Sequence, residues 1–151
     1  MSNYNLMFNI RYTFHLETMQ ATLCGRIDRA LSIGQIFLGA MCAGFVDLAP
    51  FIGVIIALLS AVSLVCQFGA KSIRAEQQAN NIKPLFLFDG DEAELKQQFE
   101  AMQGNDSEVF GALRNAAHIR ASIALGVPDC HQLTKWEKLC SFLAGDLPTH
   151  S

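Results

Sequence analysis

From Ala30 the chain stops mixing polar and apolar positions. The run Ala30 to Val46 (ALSIGQIFLGAMCAGFV) extends to Ala49 if Asp47 sits at an interface, and a second run, Phe51 to Ala70, reads FIGVIIALLSAVSLVCQFGA. Both are apolar all round, whereas a helix of a soluble bundle normally keeps a charged face. A membrane-spanning helix needs ~20 residues, with about 17 as the lower limit, and the second run meets that length comfortably. Between them Asp47-Leu48-Ala49-Pro50 predicts a tight turn: Pro50 fixes φ, lacks a donor and suits the first turn of a following helix.

Outside these runs the helical period returns. Asn5 to Arg29 predicts a helix with Phe8, Tyr12, Leu16, Met19 and Leu23 along one side, feeding into the first run. After the second run, helical sequence continues from Lys71 to about Asn80, where Asn80-Asn81 and then Pro84 break it. Pro84 to Phe88 (PLFLF) predicts a short extended segment against the bundle. Asp91 to Gln103 places Leu95, Phe99 and Met102 on one helical face, and Gly104-Asn105-Asp106 ends it. Ser107 is placed to cap a helix running to about Gly126, with an apolar arc of Phe110, Leu113, Ala117, Ala124 and Leu125. Gly126-Val127-Pro128-Asp129 predicts a turn. Leu133 to Ala144 forms the last helix, with Thr134 and Glu137 spaced as a capping box. The reading is an all-α membrane protein in three parts: an N-terminal cytoplasmic helix (1–29), a two-span transmembrane hairpin (30–70, spans about 30–48 and 51–70) and a C-terminal cytoplasmic helical domain (71–151).

Composition sharpens this picture because its bias is local. The chain is 51% hydrophobic and only 17% charged, against ~25% charged in an ordinary globular protein. Between Arg29 and Lys71 the sole carboxylate is Asp47 and there is no base. Arg26 and Arg29 precede the first run, Lys71 and Arg74 follow the second, and the turn carries no base; the positive-inside rule then puts both termini in the cytoplasm. The first apolar run follows a long polar lead carrying Arg11, Glu17, Arg26, Asp28 and Arg29, which is not the layout of a signal peptide. A net charge of −3 gives no electrostatic footprint for nucleic acid. The five cysteines, Cys24, Cys42, Cys66, Cys130 and Cys140, form no CxxC pair and predict free thiols.

Within the apolar runs, small residues recur every four positions: Gly53, Ala57 and Ala61 in the second, Gly39/Ala43 and Ala40/Gly44 in the first. Such strips permit close helix approach in lipid, and packing of the hairpin is expected to use at least one of them. The polar positions are also phased. Ser60, Ser63, Gln67, Lys71 and Arg74 step by three or four along one face, as do Ser32, Gln35 and Gly39. These eight residues are candidate pore-lining positions, since polar groups at membrane depth turn towards a bundle interior or a water-filled path. One hairpin cannot enclose water, so a pore requires a homo-oligomer. The competing reading pairs Gln35 with Gln67 across the hairpin.

No GxSxG, HExxH, P-loop or GxGxxG motif is present, and no enzymatic activity or cofactor is expected. His118, Cys130, His131 and Cys140 match no standard zinc spacing, so no metal is expected. Arg114 and His118 lie at i, i+4 on the polar side of their helix, with Arg120 towards its apolar arc; Arg11 and His15 repeat the spacing on the first helix. These five residues form a candidate surface for an anionic ligand or partner protein, and the competing reading is an intramolecular ion pair with Glu94, Glu100 or Glu137.

The order of elements, a helix with aromatic and Arg residues (NIRYTFHLETMQATLCGRIDRA), a tight two-span hairpin and a cytoplasmic helical tail containing AHIRASIALGVPD (Ala117–Asp129), resembles the SLATT superfamily. Its members accompany bacterial nucleotide-signalling and retron-type defence systems. The resemblance implies an effector that oligomerises and breaches the bacterial inner membrane when a signal is sensed. It also implies a cytosolic signal-generating or inhibitory partner, or a nucleotide-type ligand, at the cytoplasmic domain. The tail exceeds the bare module by two or three helices. Three functions stay open: a regulated pore or ion channel in anti-phage defence, a non-conducting anchor or regulatory subunit docking a cytosolic partner, and a prophage exclusion protein.

Overall fold

The computed structural model describes residues 3–88, 91–103, 109–127 and 132–146. Among them the chain is all-α, with no strand. The helices are α1 (Asn3–Gly44), α2 (Ala49–Cys66), α3 (Phe68–Ile82), α4 (Glu92–Gln103), α5 (Arg114–Ala124) and α6 (Lys135–Leu143). Ser107, Cys130, His131 and the second half of the turn at Pro128-Asp129 lie outside the described residues.

α1 runs without a break from the amphipathic lead into the first apolar run. Its first half is the spine of a packed bundle. Leu16, Met19 and Leu23 are buried against Leu113, Ala116 and Ala117 around α5 and against Cys140 and Ala144 around α6. Around the same helix, Leu6 and Ile10 pack on Ile82, Leu85, Leu95 and Phe99. Of the side of α1 expected to be buried, Leu16, Met19 and Leu23 are buried and Phe8 and Tyr12 half-buried, and Leu6 and Ile10 open a second core on another side. Two apolar sides leave little room for polar residues, and Thr13, Glu17 and Gln20 are buried as well.

The second half of α1 and the whole of α2 form a hairpin. α1 ends at Gly44, Phe45 leaves the helical conformation (φ −128°, ψ 78°), and a 3₁₀ turn over Val46–Leu48 reverses the chain. Pro50 falls in the first turn of α2, where its missing N–H costs nothing. Shielded positions recur three and four apart on each leg: Leu31, Gln35, Leu38, Met41 and Cys42 on α1, and Ile52, Ile56, Leu59, Ser63 and Cys66 on α2. This seam of larger side chains replaces the small-residue packing expected of the hairpin. Gly39, Gly44 and Gly53 have open space where a Cβ would lie, and Ala40, Ala43, Ala57 and Ala61 are exposed. The strips face outward because they lie off the Leu/Ile seam, beginning about a quarter-turn from it at Gly39 and Gly53 and reaching the opposite side at Ala40 and Ala61.

One helical stretch among the described residues, Val46–Leu87, is long and apolar enough to cross a membrane, and only 6% of its apolar window is buried inside the protein. It is not one continuous helix: Gln67 adopts the left-handed conformation (φ 48°, ψ 44°), ending α2 and starting α3. The expectation of unbroken helix through Ala70 is corrected here, as is the extended form of residues 84–88. Lys83–Leu87 is a 3₁₀ turn, whose φ Pro84 already satisfies, and only Phe88 is extended. The capping box at Thr134 forms as expected, with Glu137 N–H donating to Thr134 Oγ1 and Thr134 N–H to Glu137 Oε2. On α5 the buried side is Ala116, Ala117, Ile119 and Ala121, continued by Leu113 in the 3₁₀ turn Gly111–Leu113 that precedes it, whereas Phe110 and Ala124 are exposed.

Candidate functional site

Two constellations carry the polar residues singled out by the sequence. The first lies where the hairpin meets the bundle. Gln35 on α1 and Ser63 on α2 are half-buried in the seam, while Ser60 and Gln67 stand exposed at its rim. Together with Asp28 and Gly69 they line one open cleft of about 440 Å³. Ser32 and Gly39 are exposed and lie outside it.

The backbone of the cleft is set by Gln67. Its N–H closes α2 on the Ser63 carbonyl (3.0 Å), and its own carbonyl receives Lys71 N–H (2.9 Å) to open α3. The first N–H groups of α3 therefore have no intrahelical acceptor. Asp28 comes up against this end: a Cβ on Gly69 would lie 3.2 Å from Asp28 Oδ2. A carboxylate is favoured at a helix N-terminus by the dipole, and Gly69 permits the approach. One turn on, a Cβ on Gly25 would lie 3.0 Å from Ser72 Oγ, which donates to the Ala21 carbonyl (2.7 Å). α1 and α3 are thus held together at two glycine-dependent contacts.

The left-handed residue also reorients α3 relative to α2. Lys71 is half-buried on the side of α1, where its charge partly offsets the burial that raises the Cys24 thiol pKa. Arg74 is exposed. Ser60, Ser63 and Gln67 share the cleft, and Lys71 and Arg74 do not line it. Among the described residues no hydrogen bond joins Gln35 to Gln67.

The second constellation is on the bundle. Arg11, Arg120 and Asp146 all lie within electrostatic reach of His15. Burial pushes the His15 pKa below its ordinary value, Asp146 pulls it up, and Arg120 and Arg11 push it down. Arg120 forms an ion pair with Asp146, an intramolecular partner the sequence did not single out. Glu137 is taken by the capping box and by Asn115 Nδ2 (2.7 Å), and Glu100 pairs with Lys96 (3.6 Å). The Arg11 guanidinium carbon lies 5.6 Å from the centre of the Phe86 ring. Arg114 and His118 belong to a neighbouring aromatic patch. His118 meets Phe8 edge-on at 4.9 Å, and Arg114 counteracts the burial that raises the Tyr12 pKa.

Asp28, Gly69 and Asp146 escaped the sequence reading. An acid within one turn of an apolar run was the available signal for Asp28; nothing local points to Asp146. Among the described residues, no group of three or more His, Cys, Asp and Glu side chains could hold a metal, and Cys24, Cys42, Cys66 and Cys140 are free thiols. Comparison with protein-family models, with curated proteins and with solved structures finds no match to this chain.

Proposed function

We propose that the protein is a membrane effector of the bacterial inner membrane, its hairpin spanning the bilayer twice with both termini cytoplasmic. Copies assemble into a regulated pore or ion channel in anti-phage defence, in line with the SLATT resemblance. The observation that carries the reading is the cleft of Gln35, Ser60, Ser63 and Gln67 on a hairpin whose outer surface is otherwise apolar apart from Ser32 and, in the turn, Asp47. Polar side chains at membrane depth are costly unless they face one another or water. In an oligomer, the outward strips Gly53/Ala57/Ala61 and Gly39/Ala43 supply close-packing surfaces, and the cleft turns to the lumen.

Planar-bilayer recording of the purified protein tests the pore. Gln67→Leu is expected to abolish conductance with the oligomer intact, since an apolar constriction dries. Absence of wild-type conductance under any trigger, or a monomer by crosslinking in membranes, sinks the pore. Ala57→Leu with Ala61→Leu is expected to disperse the oligomer. Topology is tested by thiol labelling in a background lacking the native cysteines: Leu48→Cys should react with an impermeant reagent outside spheroplasts, and sites near either terminus should not.

The bundle favours a second reading, a non-conducting anchor or regulatory subunit whose tail docks a cytosolic partner or a nucleotide-type ligand. Its support is the grouping of Arg11, His15 and Arg120 on one surface. Asp146 occupies Arg120, so an anionic ligand there has to displace it.

A further inference from the structure

α6 has two apolar faces, and only one is used by the fold. Cys140, Ser141 and Ala144 turn into the bundle, with Leu133 packed beside them. The opposite face carries Trp136, Leu139, Phe142 and Leu143, exposed by 65%, 46%, 62% and 42%. Lys135 stands on this face at its N-terminal end, one turn before Leu139, Lys138 borders it, and no acid lies on it; the one carboxylate of the helix, Glu137, is held on the α5 side by Asn115. An amphipathic helix with an aromatic and aliphatic face edged by lysines is suited to lying in a membrane interface.

The position of α6 identifies what covers that face. Arg26 Nη1 donates to the carbonyls of Leu143 (2.7 Å) and Phe142 (3.4 Å), clamping the end of α6 to α1. Ile27 packs on the cluster that contains Cys140 and Ala144. Arg26 stands one turn before Ala30, where the apolar run begins, about 6 Å along the helix axis. The C-terminal end of α6 is thereby held one turn before the hairpin leaves the bundle, on the side of α1 along which Ile33 and Phe37 are exposed.

We infer that α6 is an in-plane membrane helix, whose Trp136, Leu139, Phe142 and Leu143 insert into the headgroup boundary of the leaflet beside the hairpin. This rests on the membrane reading of the hairpin and adds a second, peripheral attachment to it. Trp is suited to that depth because its ring is apolar and its N–H remains near water. Lys135 and Lys138 reach the phosphates, so anionic lipid strengthens the contact.

Trp136 is the only tryptophan in the chain, so its fluorescence reports on α6 alone. The full-length protein is reconstituted into phosphatidylcholine vesicles with and without phosphatidylglycerol, the acyl chains brominated at shallow or deep positions. The expected result is a blue-shifted emission, protection from iodide, and stronger quenching by shallow than by deep bromine. Leu139→Glu with Phe142→Glu should abolish the shallow quenching while helicity and carbonate-resistant membrane retention persist. Full iodide access without bromolipid quenching overturns the inference, and so does iodide protection without it, which is burial against a second copy. Carbonate extraction separates the two levels. Retention with an unquenched Trp136 removes only the α6 insertion, whereas release from the membrane removes the hairpin reading and α6 with it.

Discussion

α1 is one helix in two different settings. In its first half Ile10, Met19 and Cys24 are inaccessible, covered by α3, α5 and α6. In its second half Ile33, Ile36 and Phe37 are each more than 60% exposed, although they are no less apolar. The backbone does not distinguish the halves; the polar positions do. Asn9, Arg11, Thr18 and Arg26 confine burial to particular sides in the first half, so other helices dock there. In the second half no charged residue marks a face, Ser32 and Gln35 being its polar side chains, and a single partner, α2, leaves most of the circumference uncovered. Apolar residues with nothing to bury them in the fold require an apolar surrounding or a second copy.

The largest expected effect contrasts the halves directly. Leu23→Ala removes a side chain packed on Ala117 and Cys140 and should cost about 2–5 kcal/mol. Ile36→Ala, on the uncovered half, should change stability by no more than about 0.5 kcal/mol. Chemical unfolding of the full chain in micelles measures both; equal losses would show that the hairpin is covered after all.

Next in size is the junction between the regions. Gly25→Val places branched carbon where Ser72 Oγ approaches α1, and such overpacking should cost about 1–3 kcal/mol. Gly34→Val, in the same helix with open space around it, is the matched control and should cost less. Thermal melting of the two variants decides whether α3 is held as close to α1 as the structure has it.

A smaller effect of opposite sign is expected at the break. Gln67→Gly relieves a left-handed conformation that costs an L-residue about 1–2 kcal/mol, offset in part by the freedom glycine gains when unfolded. A net gain of about 0.5 kcal/mol or more is expected, and Gln67→Val should lose more than that. If Gln67→Gly destabilises instead, the amide itself holds the cleft together.

The smallest effect is a pH dependence confined to the bundle. The folded pKa of His15 is lowered from its ordinary 6.5, chiefly by burial. The unfolded chain then binds the proton more readily, so stability rises with pH over this window. The contribution of neutral His15 is complete above the unfolded value and is lost as pH falls through the folded one. His15→Gln should flatten the stability profile below about pH 6.5. An unchanged slope would assign the dependence to other groups.

What the sequence determined by itself is whatever depends on neighbours three or four residues apart. Leu16, Met19 and Leu23 form a buried stripe, Leu95 and Phe99 another, and Thr134 with Glu137 the capping box. The two apolar runs and the turn carrying Pro50 are legible for the same reason. The grouping of Gln35, Ser60, Ser63 and Gln67 was partly legible, because within each helix the phase of polar positions survives folding. Tertiary structure alone decided the rest. Gln67 has an ordinary side chain in an apolar run, and only the meeting of α3 with α1 selects its left-handed turn. Asp28 meets Gly69, and Arg120 meets Asp146, from distant parts of the chain, because close approach between helices is set by packing and leaves no period in the chain. The outer face of α6 was equally hidden: both its faces are apolar, and which one the bundle takes is fixed by where Arg26 and Ile27 dock it.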